Sequence, residues 1–197
     1  MNIMKTAKAT LRKEVQAKLN SMNIAERSRQ SLIVQQKILQ HEVYKKSQRL
    51  SIFLSMKDEV ETEPILRQAL DTGKTCYIPR YNSNSNHMDM VRLHTWQEYQ
   101  SLPVTKWKIK QPLLDELCET ALASGGLDLI LIPGLAFTKQ GHRLGRGRGY
   151  YDTYLTKYRA SLSLAPTTIA LAFNEQILPE IPTEETDVPI DIVLYAD

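Results

Sequence analysis

Three segments of this sequence carry apolar residues at neighbouring positions: Leu50-Ser51-Ile52-Phe53-Leu54, Leu127-Asp128-Leu129-Ile130-Leu131-Ile132, and Thr167 to Phe173. A strand points successive side chains to opposite faces, so such runs are stable only where both faces are covered. That requirement selects a sheet between layers of helices. The pattern supplies them. Leu11, Val15, Leu19 and Met22 form one apolar face of a helix expected from Lys8 to Met22. Asn23 is placed to cap a second helix reaching Leu39. Thr62-Glu63-Pro64 reads as the next start, with Thr as N-cap and Pro in the first turn, and Gly73 as its stop. Helices are also expected around Leu113 to Ala123 and over Tyr150 to Arg159. Strands are expected at Thr75 to Ile78, Met88 to Leu93 and Ile192 to Tyr195. The expected fold is an α/β protein, a three-layer α/β/α sandwich with a largely parallel (mixed) central sheet. A single domain spanning 1–197 is expected.

Composition narrows the function. The chain is 42% hydrophobic and 24% charged, which excludes low-complexity disorder and a collagen-like repeat. No apolar run approaches the roughly 20 residues of a membrane span. Cys76 and Cys118 make no disulfide framework and read as reduced thiols. The first residues lack an apolar signal region, so a cytoplasmic location is expected. Lys5, Lys8 and Arg12, with no acid among the first twelve residues, leave a mitochondrial leader open. A net charge of +3 is too mild to argue for nucleic acid. His41, His87, His94 and His142 show no zinc-ligand spacing, and His142 reads as an ordinary loop residue. A monomer is expected, because no exposed apolar stripe asks for a partner.

The chemistry is concentrated in one loop. Four of the eight glycines lie in Gly141-His142-Arg143-Leu144-Gly145-Arg146-Gly147-Arg148-Gly149, between an expected strand and an expected helix. Glycine lets backbone approach a ligand closely, a helix start offers free N–H groups, and arginine adds forked donors for phosphate oxygens. The run is neither a P-loop nor the G-x-G-x-x-G fingerprint, since residues 145, 147 and 149 space as G-x-G-x-G. An Arg/Gly nucleic-acid-binding module is the alternative reading, and it predicts steeply salt-dependent binding. An α/β enzyme acting on phosphorylated sugars or coenzyme A esters is another, but no nucleophile–base pair is apparent. Asp152, just beyond the loop, favours a site for Mg²⁺ and phosphates over RNA.

The octet Gly145 to Asp152, following Pro133-Gly134-Leu135-Ala136-Phe137, resembles the signature of the 5-formyltetrahydrofolate cyclo-ligase family, also called 5,10-methenyltetrahydrofolate synthetases. Further blocks agree in order: Lys8 to Arg12, Phe53 to Thr62, Ile78 to Tyr81, Asn86 to Met90, Leu171 to Phe173, Asp187 and Val193 to Tyr195. The likeness covers nearly the whole chain and is nearest to the eukaryotic type. It implies an ATP- and Mg²⁺-dependent ligase that converts 5-formyltetrahydrofolate to 5,10-methenyltetrahydrofolate. It implies ATP contacts from Lys8, Arg12, Arg143, Leu144, Gly145, Arg146, Gly147, Arg148, Gly149, Tyr150 and Tyr151. Folate contacts are implied for Leu54, Glu59 and Arg146 to Tyr150, with Tyr81 and Trp107 as flat walls for the ring. Arg146 and Arg148 are the implied catalytic cations. Asp152 and Asp187 are the implied metal ligands. Lys106, Lys108 and Lys110 would suit the acidic tail of a polyglutamylated substrate. The loop from Tyr81 to Asn86 and the Arg/Gly loop are expected to close over the site. Arg148 stands where the family commonly has Lys, Thr138 replaces a common Asp, and Ala136 a common Gly.

Overall fold

The structure, a computed structural model, describes residues 3–105 and 108–197. Three helices come first: α1 (Ile3–Ser21), α2 (Ile24–Gln40) and α3 (Glu42–Lys46). The first sheet strand, β1 (Arg49–Ser51), leads through a loop to α4 (Glu63–Asp71). Then come β2 (Thr75–Tyr81), β3 (Met88–Leu93) and α5 (Trp96–Ser101). The central strand β4 (Leu129–Ile132) precedes a small hairpin, β5 (Ala136–Phe137) and β6 (Arg143–Leu144). Last are α6 (Tyr150–Ser161), β7 (Thr167–Leu171) and β8 (Ile192–Leu194).

The sheet runs β3-β2-β1-β4-β7-β8, with β2 and β3 antiparallel and every other pair parallel. Leu50 sits opposite Cys76 on one side and Leu129 on the other, and Ile130 opposite Thr168. Both faces of β4 are covered, as its sequence demands. Leu129 and Leu131 join Val15, Leu19, Val34, Ile38 and Ile65 of α1, α2 and α4. Ile130 and Ile132 join Tyr151, Tyr154, Leu155 and Tyr158 of α6. All four β4 residues are fully buried. The three layers follow from this double cover. No helix among the described residues is long and apolar enough to cross a membrane.

Consecutive connections from β1 and β4 leave in opposite directions along the sheet, so a crevice opens beyond their carboxyl ends, where open α/β sheets bind ligands.

Three local expectations need correction. No helix forms over 113–123. That stretch is turns, and its end pairs with the free edge of β3: Arg92 N–H donates to Glu119 and Ala121 N–H to Met90. Leu113, Leu114 and Leu117 are exposed, so the apolar spacing found nothing to pack on. The Thr62 side chain does not cap α4. Its hydroxyl donates to Phe53 O and accepts from Ser55 N–H, tying the ends of the β1–α4 loop together. The strand expected over Leu50 to Leu54 ends at Ser51, and Phe53 and Leu54 enter that loop.

Candidate active site

Two neighbouring cavities lie beyond the carboxyl ends of β1 and β4, and the Arg/Gly loop is the wall between them. Arg143, Gly145, Gly149 and Asp152 line both.

The first cavity, about 320 Å³, is apolar and aromatic. Its sides are Phe53, Leu54, Tyr81, Tyr150 and Tyr151, with Glu59, Arg146 and Arg148 at its polar positions. The Tyr81 and Tyr150 rings stand 5.0 Å apart at 58°, and the Tyr81 and Tyr151 hydroxyls are 3.4 Å apart. Burial pushes both of these phenols above their ordinary range. Glu59 is buried, and one oxygen accepts the Met56 N–H at 2.9 Å while the other faces Arg146 Nη2 at 3.1 Å. Burial raises the Glu59 carboxyl above its usual value, with Arg146 opposing the rise. Arg146 also meets Asp58 at 2.8 Å. Arg148 is exposed and reaches this cavity with no ion pair among the described residues.

The second cavity, about 940 Å³, is a charged groove between α1 and α6. Lys5, Lys8 and Arg12 recur at helical spacing on α1 and line one side, as Thr153, Thr156, Lys157 and Ala160 of α6 line the other. Arg12 Nε donates to the Gly145 carbonyl at 2.8 Å, fixing the loop against α1. The Lys8 ammonium is nearly buried, 2.6 Å from Asp187 and 2.9 Å from Glu184. Burial pulls its pKa down, but the two carboxylates outweigh this and raise it. Arg143 pairs with Asp152 at 2.7 Å, lies over the Tyr151 ring, and keeps its Nε buried without a hydrogen-bond partner. Gly149 sits at φ +70°, turning the chain into α6, whose N-terminus has no side-chain cap.

The root of the loop is clamped. Gly141 has φ +91°, and a Cβ there would lie 2.0 Å from the Ile190 carbonyl oxygen. Thr138 is buried, and its hydroxyl accepts the His142 N–H at 3.1 Å, closing the hairpin turn. His142 is exposed outside both cavities.

Comparison with known proteins follows the same outline. The family model of the 5-formyltetrahydrofolate cyclo-ligases matches residues 4–196. A 5-formyltetrahydrofolate cyclo-ligase from Mus musculus is 53% identical over 98% of this chain and 95% of its own length. A probable one from Caenorhabditis elegans is 38% identical, covering 99% and 95%. The NMR structure of Aquifex aeolicus 5,10-methenyltetrahydrofolate synthetase superposes with a TM-score of 0.74 at 26% identity, covering 94% of this chain and 88% of that one. The chain belongs to the 5-formyltetrahydrofolate cyclo-ligase family. It is an enzyme of that family, a ligase of folate metabolism, and its resemblance to the eukaryotic type holds.

The residues singled out by the cyclo-ligase resemblance gather at this one place, though on two sides of it. Leu54, Glu59, Tyr81, Arg146 and Arg148 line the aromatic cavity; Lys8, Arg12, Leu144, Gly147 and Asp187 line the groove. Trp107 and Lys106 lie outside the described residues. Lys110 is turned away, donating to the Tyr99 and Gln100 carbonyls. The expected closing loop is already docked: Tyr150 donates to Asn82 O, and Asn86 donates to the Thr153 hydroxyl. Of the departures from the family pattern, Ala136 and Thr138 are buried in the hairpin and Arg148 alone is at a cavity. Sequence reasoning missed Lys5, Glu184, Gln16 and Asp58. Lys5 had a signal, one helical turn before Lys8. Gln16 and Asp58 meet only in the folded chain.

Proposed function

We propose that this enzyme converts 5-formyltetrahydrofolate and ATP to 5,10-methenyltetrahydrofolate, ADP and phosphate. One observation carries the reading: a single Arg/Gly loop is the shared wall of an aromatic cavity and a cationic groove. The aromatic side suits the flat ring system, with Tyr81 and Tyr150 as walls and the Glu59 carboxylate as acceptor for its N–H groups. The groove suits a triphosphate, with Lys8, Arg12 and the α6 N-terminus as donors.

The formyl oxygen is a weak nucleophile and a poor leaving group. In the proposed sequence it attacks the terminal phosphoryl group, and the bond to the ADP oxygen breaks. N10 then attacks the activated carbon, the carbon–oxygen bond breaks, phosphate leaves, and the N10 proton passes to solvent. Phosphoryl transfer needs positioning and charge neutralisation more than covalent help from the protein. Arg143, Arg146 and Arg148 lie along the wall across which the group moves.

Two carboxylates, Asp152 and Asp187, line the groove among these cations, which fits an ion bound by one or two carboxylates plus phosphate oxygens. They would hold Mg²⁺, which would neutralise phosphate charge. Arg143 and Arg146 are paired with carboxylates instead of standing free on a surface, which speaks against a nucleic-acid module. The unpaired Cys76 and Cys118 accord with a cytoplasmic enzyme, and we read it as a monomer.

The test is near-ultraviolet absorbance of purified protein with 5-formyltetrahydrofolate and Mg²⁺, with and without ATP. Ring closure conjugates N5 with N10, so an ATP-dependent rise is expected. No rise, with both ligands bound, would overturn the reaction.

A further inference from the structure

The loop from β1 to α4 carries a carboxylate that lines neither cavity: Asp58. It meets Arg146 through the same Nη2 that faces Glu59, and its surroundings are specific. Arg146 Nη2 donates to Asp58 Oδ1 at 2.8 Å. The other oxygen, Oδ2, accepts from Gln16 Nε2 of α1 at 2.8 Å, and Gln16 Oε1 reaches Arg146 Nη1 at 3.4 Å. The Asp58 side chain is only 13% exposed, so solvent screens the pair weakly. Three elements therefore converge on one guanidinium: α1 through Gln16, the β1–α4 loop through Asp58 and Glu59, and the Arg/Gly loop itself.

Glu59 is nearly saturated at rest, with three of its roughly four acceptor positions taken. Oε2 holds the Met56 N–H, and Oε1 alone receives both Nε and Nη2 of Arg146, at 3.2 and 3.1 Å. A ring N–H of the substrate that binds Oε1, the oxygen turned to Arg146, must share or displace that contact. Arg146 would then lose a counter-charge in a partly buried place, which is costly. Asp58 supplies the second one.

We propose that Asp58, braced by Gln16, is a positioning residue: it retains Arg146 at the cavity wall while Glu59 exchanges the guanidinium for substrate. This rests on the folate reading above. Without the Asp58 charge, Arg146 has Glu59 as its one counter-charge among the described residues and competes with the substrate for it.

The experiment is a double-mutant cycle on the affinity for 5-formyltetrahydrofolate, measured by calorimetry on the full chain with thermal melts alongside. Wild type must bind; if it does not, the folate reading itself falls, and this proposal with it. Given binding, Asp58→Asn should weaken affinity by roughly tenfold. Asp58→Glu, which keeps the charge, should recover much of that loss. In an Arg146→Ala background, Asp58→Asn should add almost nothing, because the residue acts through the arginine. An unchanged affinity in Asp58→Asn overturns the proposal. So does an equal loss in both backgrounds, which would make Asp58 act independently. Should Asp58→Asn fail to fold, Gln16→Leu on the half-buried face of α1 carries the same cycle, with a loss of about threefold expected and the same outcomes decisive.

Discussion

The aromatic cavity and the charged groove share a wall but are built by different means. The cavity is walled by strand ends, their loops and only the first turn of α6, and its tyrosines are fixed by ring contacts and by hydroxyl bonds such as Tyr150 to Asn82. The groove is walled by α1 and α6, which bring side chains at helical spacing to a wide opening. The cavity, at about 320 Å³, is a third the size of the groove at about 940 Å³. A small preformed space selects shape, and a wide cationic one selects charge. On the proposed reading the two substrates would be distinguished before any chemistry, and the loop between them, together with Asp152, would serve both.

The sharpest break of this division is at that loop. Arg146→Ala and Arg148→Ala should each lower turnover by about 10³-fold or more, the scale of a removed phosphoryl-transfer arginine. Arg148 is exposed, so melting of Arg148→Ala should stay near wild type. A near-normal rate in either variant would remove that residue from the machinery. Next in size are variants that ought to touch one side only. Lys8→Ala should raise the KM for ATP by roughly 10- to 100-fold and leave folate affinity unchanged, while Tyr81→Ala should weaken folate roughly tenfold and leave ATP unchanged. If each variant disturbs both ligands equally, the two-sided description fails.

The smallest effect concerns Glu59 and pH. Its carboxyl is raised on folding by burial, with Arg146 opposing. The folded state then keeps a proton that the unfolded chain has released, so this contribution to stability is full below the ordinary carboxyl range. It is lost as pH rises through the raised value. At pH 7.5 Glu59 thus costs stability relative to a side chain that does not titrate. Glu59→Gln should therefore melt slightly higher, by roughly 1–3 °C, and the gap should close as pH falls. Folate affinity should drop at the same time. A lower melting temperature at pH 7.5 would mean that the Arg146 ion pair outweighs the burial.

Much of the architecture was legible because double-sided burial leaves a plain mark: no polar residue interrupts Leu129 to Ile132. The loop was legible because its glycines and arginines stand together in the chain. What could not be read are features decided by distant partners. The leucines at 113, 114 and 117 have helical spacing, yet the backbone beyond them finds hydrogen bonds along β3 instead. Thr62 has the chemistry of a cap but serves Phe53 and Ser55. Asp58 resembles any loop acid until α1 and the Arg/Gly loop close on it. The cyclo-ligase blocks named many residues that line the two cavities, but not that they divide between them.

The clamp on Gly141 has a consequence for how binding is driven. The loop's root is locked under the Ile190 carbonyl, whereas at its tip a side chain on Gly147 would only graze Arg12, and one on Gly149, where the loop enters α6, would meet nothing within 4 Å. Room for backbone movement is thus left to the stretch beyond the root, the part that would meet both ligands on the proposed reading. Ordering a residue costs roughly 1–2 kcal/mol, so a loop free along its whole length would oppose association far more than one free at its tip. Closure by such a tip should show calorimetrically as a favourable enthalpy set against a modest entropy loss, smaller than the full hairpin and loop would require.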